Sequence, residues 1–314
     1  MGTYHRQGQP LASDKSISHR LQPENRKVYN HRIMRLLSAC LVFLAIATTT
    51  PQESFDFRAR YGQPDVERFA IHQDVTLTAE YGTDGKAIML EIEPRHPFLH
   101  AFFEQQPYMP EATAMDALHE VIPETRGKDL RPTASLQSSC IAFGFSSFEG
   151  LLITEVSGCA VGLKSLTVRS QSATLPQTSA ELYARYDKPD VERFVVRTDL
   201  TLTAEYGPDG QACAMRIESR HALANFLNAP AAPMDEVRAV LDEVVPPETR
   251  GKKLGPGERI LGECNGAALP TEYENVRINP YYGMCERELK VRGVEVRFKR
   301  PACEILQPKR IPKP

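Results

Sequence analysis

The clearest pattern along the chain is a two-residue alternation of apolar and polar side chains that breaks at a turn and then resumes. Leu200-Thr201-Leu202-Thr203-Ala204-Glu205-Tyr206 alternates, Gly207-Pro208-Asp209-Gly210 carries turn residues, and Ala212 to Ile217 follows. Alternation sends successive side chains to opposite faces of a strand, and an Asp-Gly step suits a tight reversal, so the segment predicts a β-hairpin. Downstream the period lengthens. Met234, Val237, Val240, Leu241, Val244 and Val245 recur at steps of three and four behind Pro233, which predicts a helix with one buried stripe, ended by Pro246-Pro247. Met115, Leu118, Val121 and Ile122 predict the same helix earlier in the chain. Glu274 to Ile278 and Leu289 to Phe298 read as further strands, with Gly293 at a bulge or turn.

The hairpin text occurs twice. Arg60–His96 laid over Arg185–His221 without gaps matches at 23 of 37 positions, which marks a duplication. Pro64-Asp65-Val66-Glu67-Arg68-Phe69 returns as Pro189-Asp190-Val191-Glu192-Arg193-Phe194, and Pro123-Glu124-Thr125-Arg126-Gly127-Lys128 as Pro247-Glu248-Thr249-Arg250-Gly251-Lys252. Two copies are too few for a solenoid, so each is expected to own a core, and a helix must bury its stripe on something. The expected fold class is therefore α+β: two tandem copies of a small domain, each an antiparallel sheet with one main helix packed on it. Residues 53–170 and 180–304 are the expected copies. Residues 171–179, small and uncharged, read as a linker, and 305–314 as a basic tail.

Composition adds a place for the protein. Of 314 residues 41% are hydrophobic and 25% charged, which fits a globular chain. One uncharged apolar stretch runs from Leu36 to Ala47 behind Arg32 and Arg35 and closes with Ala45-Ile46-Ala47. It is too short to span a bilayer, which takes about 20 residues. Basic flank, short apolar region and A-x-A end together read as a secretory signal peptide cleaved between Ala47 and Thr48, with Met34 as the expected start of translation. The expected location is periplasmic or secreted, with no transmembrane span after cleavage; lipoprotein anchoring through Cys40 is the lesser alternative. Residues 1–47 hold seven Lys/Arg and two Asp/Glu, so their removal moves the formal charge from −2 to −7. An acidic chain without clustered cations argues against nucleic acid as a partner.

Six cysteines remain beyond the signal, an even count that suits a disulfide framework in an exported protein. The repeat narrows the pairings. Cys140 aligns with Cys264 and Cys159 with Cys285, so Cys140–Cys159 and Cys264–Cys285 are the expected equivalent bridges. Cys213 and Cys303 have no counterparts in the first copy and are expected to pair with each other. With no Cys-x-x-Cys, a zinc site is the weaker reading, and no metal or other cofactor is expected.

Candidate chemistry is sparse. Arg95-His96 and Arg220-His221 close the two hairpins, where a cation beside an imidazole suits anion binding or acid–base work; the plainer reading is a strand end packed by a loop. Asp65, Glu67 and Arg68, with Asp190, Glu192 and Arg193, read either as a charged recognition strip or as a solvated strand face with cross-strand pairs. Glu124, Arg126 and Lys128, with Glu248, Arg250 and Lys252, follow the helix in a Pro/Gly loop, the kind of place where contact surfaces concentrate. No nucleophile elbow, zinc-helix motif or nucleotide fingerprint is present. The reading that follows is an exported, non-enzymatic module that binds an envelope or extracellular protein or polymer. The alternatives are a secreted hydrolase with acidic and histidine residues, and a purely structural envelope protein.

Overall fold

A computed structural model describes residues 53–96, 107–128, 134–138, 141–157, 162–171, 175–220, 232–256, 270–282 and 291–304. Helix α1 (Ser54–Tyr61) leads into strands β1 (Val66–His72), β2 (Val75–Tyr81) and β3 (Ala87–Pro94). Helix α2 (Glu111–Val121) and a 3-10 turn (Pro123–Thr125) follow, then β4 (Ala134–Ser138), β5 (Ile141–Phe148), β6 (Leu151–Ser157) and β7 (Leu163–Ser170). The second copy runs α3 (Ser179–Tyr186), β8 (Val191–Arg197), β9 (Leu200–Tyr206), β10 (Ala212–Ser219), α4 (Met234–Val244) and α5 (Pro247–Arg250). It ends with β11 (Lys253–Pro256), β12 (Thr271–Tyr273), β13 (Val276–Tyr282), β14 (Val291–Phe298) and α6 (Pro301–Glu304).

The expected hairpins and main helices form where the patterns place them. In both turns the glycine after aspartate takes a positive φ, +75° at Gly85 and +74° at Gly210, a conformation a side chain resists. The main helix of the second copy buries Val237, Val240, Leu241 and Val244; that of the first buries Ala114, Ala117, Leu118 and Val121. A register shift lies opposite Gly293, between Tyr281 and Tyr282.

The architecture differs from the expected fold class. All fourteen strands belong to one sheet, ordered β11-β12-β13-β14-β10-β9-β8-β1-β2-β3-β7-β6-β5-β4, and every pairing is antiparallel. Strand makes up about half of the described residues and helix about a quarter. The expectation of two small α+β domains is therefore corrected: the described residues belong to one compact unit, a largely antiparallel β structure. The reason is an open edge. The first strand of each copy has only one partner inside its own copy, and a free strand edge is a row of unpaired donors and acceptors. Here β1 and β8 satisfy each other, pairing Val66 with Arg193, Glu67 with Glu192 and Arg68 with Val191. The sheet order reads the same outward from that joint on both sides, so the copies are related by a local two-fold axis between Glu67 and Glu192.

The short helices cross the joint. Phe57 of α1 is 1% exposed and belongs to the core of the second copy, with Phe194, Leu202, Val240 and Val296. Its equivalent in α3, Leu182, is 2% exposed and belongs to the core of the first copy, with Phe69, Leu77, Leu118 and Val168. Each copy thus lends its leading helix to the other. Thr178 caps α3 through a reciprocal capping box with Glu181, which satisfies otherwise orphaned helix N–H groups. Residues 175–178, inside the segment read as a linker, lie against the start of β3: Leu175 donates to the Ala87 carbonyl at 2.6 Å, and Ala87 donates to that of Gln177 at 2.8 Å.

Cys213 on β10 and Cys303 in α6 form a disulfide, with Cα atoms 5.1 Å apart across 90 residues of sequence. Cys140, Cys159, Cys264 and Cys285 lie outside the described residues, as do His221, the Ala47–Thr48 bond and Cys40. Among the described residues no helix is long and apolar enough to cross a membrane.

Candidate functional site

The densest chemistry among the described residues lies on the two-fold axis, in the charged text that the two copies share. Alternation along β1 puts Glu67 and Phe69 on the helix-covered face and Arg68 on the other; β8 does the same with Glu192, Phe194 and Arg193. The two glutamates are therefore cross-strand partners between two apolar cores, each 0% exposed. A buried carboxylate survives only with donors around it. Tyr81 donates its hydroxyl to Glu67 Oε2 at 2.6 Å, and Tyr206, its equivalent, donates to Glu192 Oε2 at 2.6 Å. Arg58 of α1 spans the axis, donating Nε to Glu192 Oε1 at 2.6 Å and Nη2 to Glu67 Oε1. Its guanidinium lies 5.5 Å from the centre of the Tyr183 ring, and Tyr183 is the residue that occupies Arg58's place in the second copy.

The electrostatics follow from burial. Loss of water pushes the Glu192 carboxyl above the ordinary carboxylate range, against the opposing pull of Tyr206 and Arg58. Burial also drives the Tyr206 and Tyr81 hydroxyls upward, and the adjoining carboxylates add to it. At Arg58 burial works against the cation, yet Glu192 and Glu67 outweigh it and the guanidinium is held above its ordinary value.

The opposite face of the joint carries a second symmetric set. Arg68 makes a two-pronged bond to Asp190 at 2.9 and 3.1 Å, and Arg193 makes the same bond to Asp65 at 2.9 and 3.0 Å. The Asp65 amide donates to the Arg193 carbonyl and the Asp190 amide to that of Arg68, both at 2.9 Å. Planar guanidinium–carboxylate forks of this kind fix geometry as well as charge. Of the two readings of the strip, cross-strand pairs are present, but the face is not solvated: Arg68 is 2% exposed. Farther out, Tyr61 of α1 donates to Glu243 of α4 at 2.8 Å, and burial with Glu243 lifts its hydroxyl to about 12.

Of the other candidates, His96 touches the joint through its backbone and the rest lie outside the joint's charged sets. Arg95 and Arg220 are exposed, with their amides on the carbonyls of Asp74 and Asp199. His96 sits 3.3 Å from Glu93 and its carbonyl accepts from Arg68 at 2.8 Å. In the loops, Glu124, Arg126, Lys128, Glu248 and Lys252 are exposed. Arg250 is not: it is 9% exposed, donates Nε to the Val245 carbonyl at 2.8 Å and pairs with Asp242. It closes the end of α4, whereas Arg126 faces outward. Among the described residues no group of three or more His, Cys, Asp or Glu could hold a metal ion. A scan against protein-family models, a search of curated proteins and a search of solved structures each find no match.

Sequence reasoning missed the joint because a strand of alternating charge looks solvated unless its partner is known. One local signal was present: Thr178-Ser179-Ala180-Glu181 is a capping-box sequence, and it marks the start of the helix that crosses to the other copy.

Proposed function

We propose that the chain is an exported, non-enzymatic module that binds an envelope or extracellular protein or polymer through a surface presented once by each copy. The observation that carries this reading is the pair of loops after α2 and α4. Both expose a glutamate and a lysine at equivalent positions, Glu124 with Lys128 and Glu248 with Lys252, and both stand on one continuous sheet. The most buried charges among the described residues are paired within the joint, whereas these loop charges face outward in both copies. Two linked weak sites gain strongly from effective concentration. The three-part segment before Thr48 supports export.

The test is retention of the mature chain on isolated envelope or extracellular-matrix fractions. Lys128→Glu and Lys252→Glu are each expected to weaken retention by about 100-fold, because either change leaves a monovalent chain, and the double variant to weaken it further. Unchanged retention in the double variant, or none by the parent protein, contradicts the proposal.

A further inference from the structure

Two carboxylates flank the two-fold axis, and among the described residues one cation, Arg58, reaches them. The groups that face the pair come from every element packed there: Ser54 and Arg58 on α1, Ser179 and Tyr183 on α3, Tyr81 on β2 and Tyr206 on β9. All are hydroxyls except Arg58. The charge symmetry is broken here, because the position that gives Arg58 in the first copy gives Tyr183 in the second. On the other face Arg68 pairs with Asp190 and lies 3.6 Å from Glu205, and Arg193 pairs with Asp65 and lies 3.7 Å from Glu80, so both of these cations are engaged by carboxylates of their own face. With Glu67 and Glu192 both ionised, the cluster keeps one uncompensated negative charge in a place closed to water, and a single proton removes it.

We propose that the Glu67–Glu192 pair takes up one proton from solvent, and that this proton closes the joint between the two copies more tightly in mildly acidic surroundings than at neutral or alkaline pH. The proton belongs to the pair, since each carboxylate is bonded to the same guanidinium. The upward displacement of Glu192 runs in the same direction. A proton held more firmly in the closed joint than in the opened one favours closure below the ordinary carboxylate value. That advantage is lost as pH rises through the closed-state value.

The deciding measurement is carboxyl-carbon NMR of the intact protein with labelled glutamate across pH 3–9, with Glu67→Gln and Glu192→Gln to assign the pair. One titration step is expected above the ordinary carboxylate range. Exchange of the Asp65 and Asp190 amides, corrected for intrinsic chemistry, is expected to quicken about tenfold per unit as pH rises through that step. Tyr183→Arg supplies the missing cation and should bring the step down and flatten the exchange profile. Arg58→Lys keeps a single cation and should keep the raised step. Both carboxyls titrating within or below the ordinary range in the unaltered protein, or a pH-independent joint, overturns the proposal.

Discussion

The two copies agree almost everywhere they touch each other and diverge where they do not. At the joint most interactions occur twice: Arg68 with Asp190 and Arg193 with Asp65, Tyr81 on Glu67 and Tyr206 on Glu192, Phe57 in one core and Leu182 in the other. Away from it the copies part. Ile88 is 37% exposed where Cys213, 4% exposed, carries a disulfide. Arg126 faces outward where Arg250 closes a helix. The shared text thus builds one interface, and the differing text tailors two ends. Arg58 against Tyr183 is the exception inside the interface, and it makes an otherwise symmetric joint charge-asymmetric.

The comparison can be broken most forcefully at the exchanged helices. Phe57→Ala empties a fully buried ring site in the second core and is expected to cost about 3–5 kcal/mol in denaturant unfolding. A joint of no consequence would leave the midpoint unmoved. Leu182→Ala is the matching test on the first core, at about 2–5 kcal/mol. Arg58→Met leaves two buried carboxylates without their cation and is expected to cost about 3 kcal/mol; Tyr183→Phe, read by the same unfolding curves, should change little. Cys213→Ala with Cys303→Ala removes a bridge that only the second copy has, at about 2–4 kcal/mol, with thermal unfolding as the readout. At the small end, Arg250→Ala is expected to cost about 1–3 kcal/mol because it strips a buried carbonyl of its donor. Arg126→Ala should stay within about 0.5 kcal/mol. Equal effects at the two arginines would erase the distinction between a structural and an outward-facing loop residue.

The hairpins and main helices were legible because their determinants are local. Alternation around Asp84-Gly85 and Asp209-Gly210, and the three-and-four spacing from Val237 to Val244, need no knowledge of the rest of the chain. The Cys213–Cys303 pairing was legible by subtraction, since the first copy lacks both. The single sheet was not legible, because nothing in Val66-Glu67-Arg68 says which edge it meets. Its burial comes from Val191-Glu192-Arg193, more than a hundred residues away, and charge patterning alone pointed outward. The exchange of α1 and α3 was hidden for the same reason: a short amphipathic helix declares an apolar side but not whose core receives it. At the candidate site, the loop charges were legible as a motif, but the burial of Arg250 depends on the carbonyl of Val245 at the end of the preceding helix.

The central claim is that the two copies are joined strand to strand through β1 and β8. Hydrogen exchange of the Asp65 and Asp190 amides tests it most directly, because each donates to a carbonyl of the other copy at 2.9 Å. The account predicts that both are protected together and exchange only when the joint opens, with Phe57→Ala accelerating the pair. Rapid exchange of both amides while the β2–β3 and β9–β10 hairpins stay protected would contradict it, and would mean two separate domains on a tether.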